Sequence, residues 1–372
     1  MISGKRRYSF ANILFVLMAV LFFLPACVQG SSISPAGREQ NPAVPLPIAT
    51  PSSTPDDSPV ITTYFTDPVI KGGRAPGRQI IADMIRDINA AQDSIDVAMY
   101  NFTLKDVSEA LIKASERGTA VRIIVDSDAL DKLDLSRLKK AGIYAMGDRR
   151  ESLMHNKFVV IDNRILWTGS LNLTESGATD DENVQVRFVS SELADNYREK
   201  FNAMFNDDKF GPDSRSKTEK TVFSLSGVPV ENYFSPEDKI DTRLVKLVGS
   251  ARKSVHILAY SFTLDRLADA LIKAEKAGVD VSGVFDEEST EDNQGADFWK
   301  LEKAGLNVRL DGEDGLMHIK AIIIDGKTVA FGSYNFTASA ENKNDENMLI
   351  VTDPNLADKF EDAFNRIFSR AN

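Results

Sequence analysis

From residue 60 onward, apolar and polar positions follow two periods, one typical of strands and one typical of helices. Residues 94–100 (SIDVAMY) and 120–126 (AVRIIVD) are short runs rich in apolar and β-branched residues, which favours buried strands. Between them, residues 109–118 (EALIKASERG) place apolar side chains at helical spacing and end in a glycine. This alternation of strand and helix predicts an α/β fold.

The same pattern occurs twice along the chain. Residues 109–126 (EALIKASERGTAVRIIVD) match residues 269–286 (DALIKAEKAGVDVSGVFD) at an offset of 160. Residues 153–162 (LMHNKFVVID) match residues 316–325 (LMHIKAIIID) at an offset of 163. An internal repeat of this length indicates that one structural unit has been duplicated.

The two copies are separated by a polar stretch with Gly, Pro and Ser at 211–220. We therefore expect two repeats, one at 60–212 and one at 220–372, each folded as an α/β/α sandwich. Two like units tend to pack about a pseudo-twofold axis, which allows matching positions to meet at their interface. Because both halves lie in one chain, we expect a monomer.

The N-terminal residues predict an export signal followed by a tether. Basic residues at 5–7 precede an apolar run at 13–24, which is shorter than the ~20 residues of a membrane-spanning helix. The ending Leu-Pro-Ala-Cys resembles the lipobox of bacterial lipoproteins, and that resemblance implies lipidation of Cys27. We therefore expect 1–27 to be a signal peptide and 28–59, rich in Pro and Ser, to be a disordered linker. The catalytic part is then extracytoplasmic and membrane-anchored.

Charge and composition restrict the function further. The formal net charge of −11 repels nucleic acid and anionic lipid at long range, although it does not exclude a local basic cleft. With one cysteine and three histidines in the chain, neither a disulfide framework nor a metal site is expected. We expect no cofactor.

Each repeat carries the pattern H-x-K-x₄-D-x₆-G-S-x-N with identical internal spacing. The pattern resembles the signature of the phospholipase D superfamily, and the resemblance covers nearly all of the chain after the tether. A glutamate follows each copy where that family often has an acid partner for the histidine. The candidate catalytic residues are His155, Lys157, Asp162, Ser170, Asn172 and Glu182 in the first copy, and His318, Lys320, Asp325, Ser333, Asn335 and Glu346 in the second.

The spacing of these residues has a direct chemical meaning. Residues two apart in a strand face the same side, so the histidine and lysine of each motif point together, as do the serine and asparagine. A phosphodiester between the two copies would meet two histidines, two lysines and hydrogen-bond donors. One histidine attacks phosphorus and the other transfers protons. The family resemblance implies that His155 is the nucleophile and His318 the acid, whereas the residues alone are symmetric.

Some residues near the motifs have plainer interpretations. Asp162 and Asp325 follow a strand at a hairpin turn, so a structural role that binds backbone amides is at least as well supported as catalysis. His256 lacks the His-x-Lys context and is interpreted as structural. Tyr100 and Tyr260 end strands near the expected cleft, where core packing is the favoured interpretation.

The motifs predict that the protein cleaves a phosphodiester bond, but they do not identify the molecule that contains it. We expect a phospholipase D that cleaves phospholipid head groups, because a membrane tether concentrates the enzyme at lipid. A metal-independent nuclease of the same superfamily is the main alternative, and the compact repeat of about 150 residues favours it. A phosphatidyltransferase similar to cardiolipin synthase and a non-catalytic binding module on a tether are further alternatives.

Overall fold

The computed structural model describes residues 60–372, apart from 71, 73–74, 215–216, 294 and 313–314. The predicted signal peptide, the linker and Cys27 lie outside the described residues. Within the described part of the chain, no helix has both the length and the hydrophobicity required to cross a bilayer.

The described residues of the first repeat form seven strands and five α-helices. They are β1 (Ile61–Phe65), α1 (Pro76–Ala90), β2 (Ser94–Met99), α2 (Lys105–Glu116), β3 (Ala120–Val125), α3 (Leu135–Lys140), β4 (Tyr144–Gly147), β5 (Lys157–Ile161), β6 (Ile165–Gly169), α4 (Glu175–Thr179), β7 (Val184–Val189) and α5 (Ser191–Asp207). Short 3₁₀ helices at Ser127–Lys132 and Gly211–Asp213 complete it.

The second repeat has the same order of elements, with one additional strand at its start and the α-helix α8 where the first repeat has a 3₁₀ helix. Its elements are β8 (Val222–Leu225), β9 (Val228–Ser235), α6 (Ile240–Gly249), β10 (Ser254–Ala259), α7 (Asp265–Lys276), β11 (Asp280–Phe285), α8 (Glu287–Asp292), α9 (Phe298–Lys303), β12 (Asn307–Leu310), β13 (Lys320–Ile324), β14 (Thr328–Gly332), α10 (Ala338–Asn342), β15 (Glu346–Thr352) and α11 (Pro354–Phe368).

Each repeat forms one mixed sheet. The strand order is β1-β7-β6-β5-β2-β3-β4 in the first sheet and β12-β11-β10-β13-β14-β15-β9-β8 in the second. The strands β2, β3 and β4 are parallel to one another, as are β10, β11 and β12, and the remaining pairs are antiparallel. The repeated α/β architecture predicted from the sequence is confirmed.

Helices cover both faces of each sheet, and alternation along the strands explains why. In β5, Phe158 belongs to a core shared by both repeats, whereas Val159 belongs to the core under α1 and α2. The shared core also contains the apolar faces of α5 and α11, including Tyr197 and Phe360. Because α5 and α11 belong to this common core, the repeats pack together through their inner layers. The strands that carry the motifs are therefore held against each other.

Candidate active site

The two histidine motifs meet through reciprocal backbone hydrogen bonds between the repeats. The N–H of His155 donates to the carbonyl of Asp345 (3.0 Å), and the N–H of Asp345 donates to the carbonyl of Leu153 (2.9 Å). The second copy repeats the arrangement, since the N–H of His318 donates to the carbonyl of Glu182 (2.9 Å). Each motif histidine is thus fixed by the other repeat, and both are buried in one interface.

The motif lysines lie beside the histidines, as residues two apart in an extended segment should. Nζ of Lys157 donates to the carbonyl of His155 (3.0 Å), and Nζ of Lys320 donates to the carbonyl of His318 (2.7 Å). Both lysine side chains are fully buried. The site therefore holds two lysine amines close to two imidazole rings, and these amines can carry positive charge toward the oxygens of a phosphodiester.

Tyr100 and Tyr260 belong to the site, although packing in the core was their favoured interpretation. The ring of Tyr100 lies 4.8 Å from that of His155 and that of Tyr260 lies 4.9 Å from that of His318, measured between ring centroids. The motif lysine of the same repeat lies 5.0 Å and 4.5 Å from the respective tyrosine ring. Their matching position in both repeats, each followed by x-Phe-Thr-Leu, was the available signal.

The His155 ring is held by an acid from the second repeat. Nδ1 of His155 lies 2.8 Å from Oε2 of Glu346, which is fully buried. The hydroxyl of Ser333 donates to the same oxygen (2.7 Å) and accepts the N–H of Asn347 (3.0 Å). The carboxylate therefore fixes the ring orientation and leaves Nε2 as the reactive nitrogen.

The His318 ring has a different partner from the one expected. Nδ1 of His318 lies 2.9 Å from the amide oxygen of Asn183. Glu182 was expected to serve a histidine, but its carboxylate accepts from Arg370 (2.7 Å) and only its backbone carbonyl contacts His318. At the offset of 163 that relates the two motifs, Asn183 matches Glu346. Pairing the two glutamates in the sequence therefore placed the repeats one residue out of register.

The motif serines do not have the role expected of them. The hydroxyl of Ser170 donates to Asn183 (2.9 Å), as that of Ser333 donates to Glu346. Each hydroxyl has a single proton, so neither is available for a phosphate oxygen in this arrangement. The serines instead hold the side chains that orient the histidines.

The motif asparagines are half-buried, each in the turn that follows its glycine and serine. Oδ1 of Asn172 and Oδ1 of Asn335 are buried and have no hydrogen-bond partner among the described residues. A buried polar atom without a partner is costly, so both amides retain hydrogen-bonding capacity for a bound group.

Asp162 and Asp325, the aspartates of the motifs, have a structural role. Each begins the hairpin turn after its strand, at positive φ values of 50° and 56°. Asp162 accepts hydrogen bonds from the three backbone N–H groups of 92–94 (2.8–3.2 Å), and Asp325 accepts from those of 252–254 (2.7–3.1 Å). Their carboxylates therefore fix the loops that lead into β2 and β10 and do not contact a histidine.

The glycines of the motifs are required by close packing of strands. A Cβ atom on Gly169 would lie 2.2 Å from the carbonyl oxygen of Val184, and one on Gly332 would lie 2.3 Å from that of Asn347. Both distances are far below van der Waals contact, and the atoms approached are backbone atoms that cannot turn away. Glycine therefore allows the serine that follows it to reach Asn183 or Glu346.

The lysines are perturbed by their burial. Burial lowers the pKa of Lys157 to about 7, and the attraction of Glu346 opposes that effect. Burial also lowers the pKa of Lys320 well below its usual range, and repulsion from Lys157 adds to the shift. Strongly perturbed groups that converge in one place are typical of active sites. An anionic substrate would restore the charge of both lysines.

An acidic cavity of about 230 Å³ adjoins the segment that leads to the second histidine. Leu316 lies in its wall, two residues before His318, and Asp286 accepts the N–H of Met317 (2.9 Å). The carboxylates that line the cavity belong to Asp286, Glu287, Glu288, Glu291, Asp292 and Asp311. The described residues form no group of three or more His, Cys, Asp or Glu suited to a metal ion.

Comparison with known proteins identifies the family. The sequence profile described as "Cardiolipin synthase, PLD-like domain" matches residues 84–205 and 244–368, more than half of the chain. The chain belongs to the phospholipase D superfamily. Phospholipase D of Rickettsia bellii is 32% identical to it over 139 residues, which are 37% of this chain and 69% of that protein.

Other members of the phospholipase D superfamily match a larger share of the chain. Cardiolipin synthase A of Proteus mirabilis is 29% identical over 310 residues, 72% of this chain and 63% of that protein. The crystal structure of phosphatidylserine synthase from Haemophilus influenzae superposes with a TM-score of 0.63 and covers 84% of this chain and 87% of its own. At 14% identity that likeness shows the fold alone. The names of the two sequence relatives, a phospholipase D and a cardiolipin synthase, are consistent with an enzyme.

Proposed function

We propose that this protein hydrolyses the head-group phosphodiester of phospholipids through a covalent phosphohistidine. One observation carries the proposal: two buried histidines from different repeats lie in one interface, each with Nδ1 held by a hydrogen bond. Two imidazoles that are held through Nδ1 beside two lysines suit a double displacement at phosphorus.

In the first step, Nε2 of His155 attacks phosphorus and the bond from phosphorus to the head-group oxygen breaks. His318 donates a proton to that oxygen, so the head group leaves as a neutral alcohol. The lysines stabilise the charge that develops on the phosphoryl oxygens, and Glu346 compensates the positive charge of the phosphorylated His155 ring.

In the second step, water attacks phosphorus and His318 accepts its proton. The bond between His155 and phosphorus breaks, which releases phosphatidic acid and returns both histidines to their initial state. An alcohol in place of water would give transfer of the phosphatidyl group instead, so the acceptor decides between hydrolysis and synthesis.

The charge around the site supports a lipid rather than a nucleic acid substrate. The acidic cavity beside His318 would repel the neighbouring phosphates of a nucleic acid strand, which lie along its whole length. A zwitterionic lipid presents one phosphate to the lysines and a cationic group to the cavity. The proposed lipid anchor at Cys27 would hold the enzyme outside the cytoplasm at such a surface.

The test uses the full chain purified in mild detergent, with EDTA present throughout. It is incubated with phosphatidylcholine and phosphatidylglycerol vesicles, and separately with single- and double-stranded DNA, beside His155→Ala and His318→Ala. We expect head-group release and phosphatidic acid from the parent protein and none from either variant. DNA cleavage with intact lipid would identify a nuclease, and activity that requires a divalent ion would contradict the mechanism.

A substrate with an activated leaving group, used with the His318→Ala variant, identifies the nucleophile. With a phosphatidyl ester of p-nitrophenol, the leaving group needs no proton, so His318→Ala should still be phosphorylated. We expect an acid-labile adduct on the peptide that contains His155, measured by mass spectrometry. An adduct found on His318 in the His155→Ala variant would reverse the proposed roles.

A further inference from the structure

The two histidines of the site have chemically different partners. His155 faces the carboxylate of Glu346 (2.8 Å), whereas His318 faces the amide oxygen of Asn183 (2.9 Å). The two partners occupy equivalent positions, since each directly precedes the residue whose N–H binds the motif serine. The repeats are therefore alike in geometry at this point and unlike in charge.

The orientation of the Asn183 amide is determined by its other contacts. Its Nδ2 donates to the carbonyl of Gly177 (3.0 Å), and its Oδ1 accepts from the hydroxyl of Ser170 (2.9 Å). A reversed amide would place two oxygens together at Gly177, so the oxygen must face His318. Nδ1 of His318 therefore carries the hydrogen, and Nε2 carries the lone pair.

The surroundings of His318 disfavour a second proton. The charged groups that act most strongly on its ring are Lys320, Lys157 and His155, and the titratable Tyr260 also contacts it. Burial lowers the pKa of His318 well below its usual range and the charged groups lower it further, whereas the backbone carbonyl of Ser170 opposes them. The Tyr260 ring covers the imidazole at 4.9 Å. Burial also lowers the pKa of His155, but there the Glu346 carboxylate counteracts it.

We infer that Asn183 is a positioning residue that keeps His318 neutral and Nδ1-protonated in the resting enzyme, which makes the enzyme most active on the acid side of neutrality. The inference rests on the proposed function, in which His318 must donate a proton to the head group. A carboxylate at this position would stabilise the imidazolium form, and the amide does not.

The consequence follows from the proton balance of the first step. Nε2 of His318 must first take a proton from solvent, and that proton then passes to the leaving oxygen. The protonated fraction falls as pH rises, so the rate of head-group release falls with it. After the transfer, His318 is again neutral, which is the form that accepts the proton of the attacking water.

The experiment compares the full chain with Asn183→Asp in the hydrolysis of phosphatidylcholine vesicles across pH. The new carboxylate attracts the imidazolium, so the descending limb of kcat/KM should move to higher pH by about 1–3 units. The leaving group of the p-nitrophenol ester needs no proton from a general acid. With that ester, kcat/KM of neither protein should decrease at high pH. Asn206→Asp adds the same charge at an exposed position of α5 and should leave the limb unchanged. A limb that stays in place in Asn183→Asp overturns the inference.

A second measurement does not depend on the folding of the variant or on turnover. The chain contains three histidines, so a ¹⁵N-histidine-labelled sample gives three pairs of ring nitrogen signals, which His155→Ala and His318→Ala assign. We expect His318 to be Nδ1-protonated and neutral at about pH 6.5, at which a free histidine is half-protonated. An imidazolium form of His318 at that pH would overturn the inference. If the parent protein hydrolysed no phospholipid at any pH, the proposed function would be overturned instead.

Discussion

Nδ1 of His155 and Oε2 of Glu346 lie 2.8 Å apart, although 191 residues separate them in the chain. The pair joins the first repeat to the second, and the hydroxyl of Ser333 holds the same carboxylate oxygen. Glu182, which was expected to have a matching role, binds Arg370 instead. Substitution of each glutamate therefore distinguishes a role in catalysis from a structural role.

Glu346→Gln should reduce kcat by about 10³- to 10⁴-fold, as loss of the acid in a catalytic triad does, because an amide cannot compensate the charge of the His155 ring. Glu182→Gln should retain activity within about tenfold, because its side chain contacts neither histidine. Steady-state hydrolysis of phosphatidylcholine measures both, with the exposed Glu192→Gln as the control. Equal losses in the two buried variants would favour the pairing expected from the sequence.

Gly315→Ala tests whether the reciprocal contact between repeats positions the histidines. A Cβ atom on Gly315 would lie 1.7 Å from the backbone carbonyl oxygen of Asp180, so the segment that leads to His318 must shift. Misplacement of a catalytic group by about 1 Å costs about 100-fold in rate, and we expect a loss of that size in kcat.

The control for this variant is Gly249→Ala, whose Cβ atom would meet nothing within 4 Å. Both proteins should show similar circular dichroism and thermal unfolding, so that the loss reflects geometry. Full activity of Gly315→Ala would contradict a requirement for close approach of the repeats.

Anion binding should be coupled to proton uptake through the motif lysines. Because burial lowers the pKa of Lys157 to about 7, its amine is largely neutral at pH 8, and an anion favours the charged form. Inorganic phosphate should therefore bind with net uptake of protons and more weakly as pH rises. Calorimetry at pH 8 in buffers of different ionisation enthalpy measures the uptake.

Lys157→Met should remove part of this proton uptake and weaken phosphate binding by about 10- to 100-fold, the value of a hydrogen bond to a charged group. The exposed Lys139→Met serves as the control. Phosphate binding with no proton exchange in the parent protein would contradict the perturbed state of the lysines.

Two buried glutamates should each reduce the stability of the folded protein as pH rises from about 5 to 8. Burial raises the pKa of Glu182 to about 7 and that of Glu341 to about 7. Between the unfolded value near 4.5 and that value, the folded state binds more protons, so rising pH favours unfolding. Each group contributes on the order of 3 kcal/mol across this window.

The measurement is Tm at pH 5 and pH 8 for the parent protein, Glu182→Gln and Glu341→Gln. Each glutamine variant removes one group that destabilises the folded protein as pH rises, so Tm at pH 8 relative to Tm at pH 5 should be higher in each variant than in the parent protein. The same difference in Tm in both variants as in the parent protein would be inconsistent with the raised pKa values.

The fold could be predicted from the sequence because the duplication repeats the pattern of each helix and strand. The period of residues 109–118, the strand at 120–126 and their second copies predict the alternating helices and strands that the structure shows. The spacing of His155 and Lys157 likewise predicted that their side chains lie together, which follows from strand geometry alone.

The partners of the histidines were less accessible, because they come from the opposite repeat and depend on register. A shift of one residue along the segment that leads into β7 exchanges Glu182, which faces Arg370, for Asn183, which faces His318. The similarity of the Glu-Asn pairs at 182–183 and 346–347 concealed that shift. The hydrogen bonds that the Ser170 and Ser333 hydroxyls donate to Asn183 and Glu346 could not be predicted from the sequence either, because they depend on tertiary contacts.

The exchange of backbone hydrogen bonds between the repeats has an evolutionary consequence. Duplicated units often provide a spare copy in which substitutions are tolerated. Here the backbone of Asp345 fixes His155 and that of Glu182 fixes His318, so displacement of either segment also displaces a histidine of the other copy. The two halves are thus mutually dependent rather than interchangeable. At Asn183 and Glu346 they have become different from each other within one site.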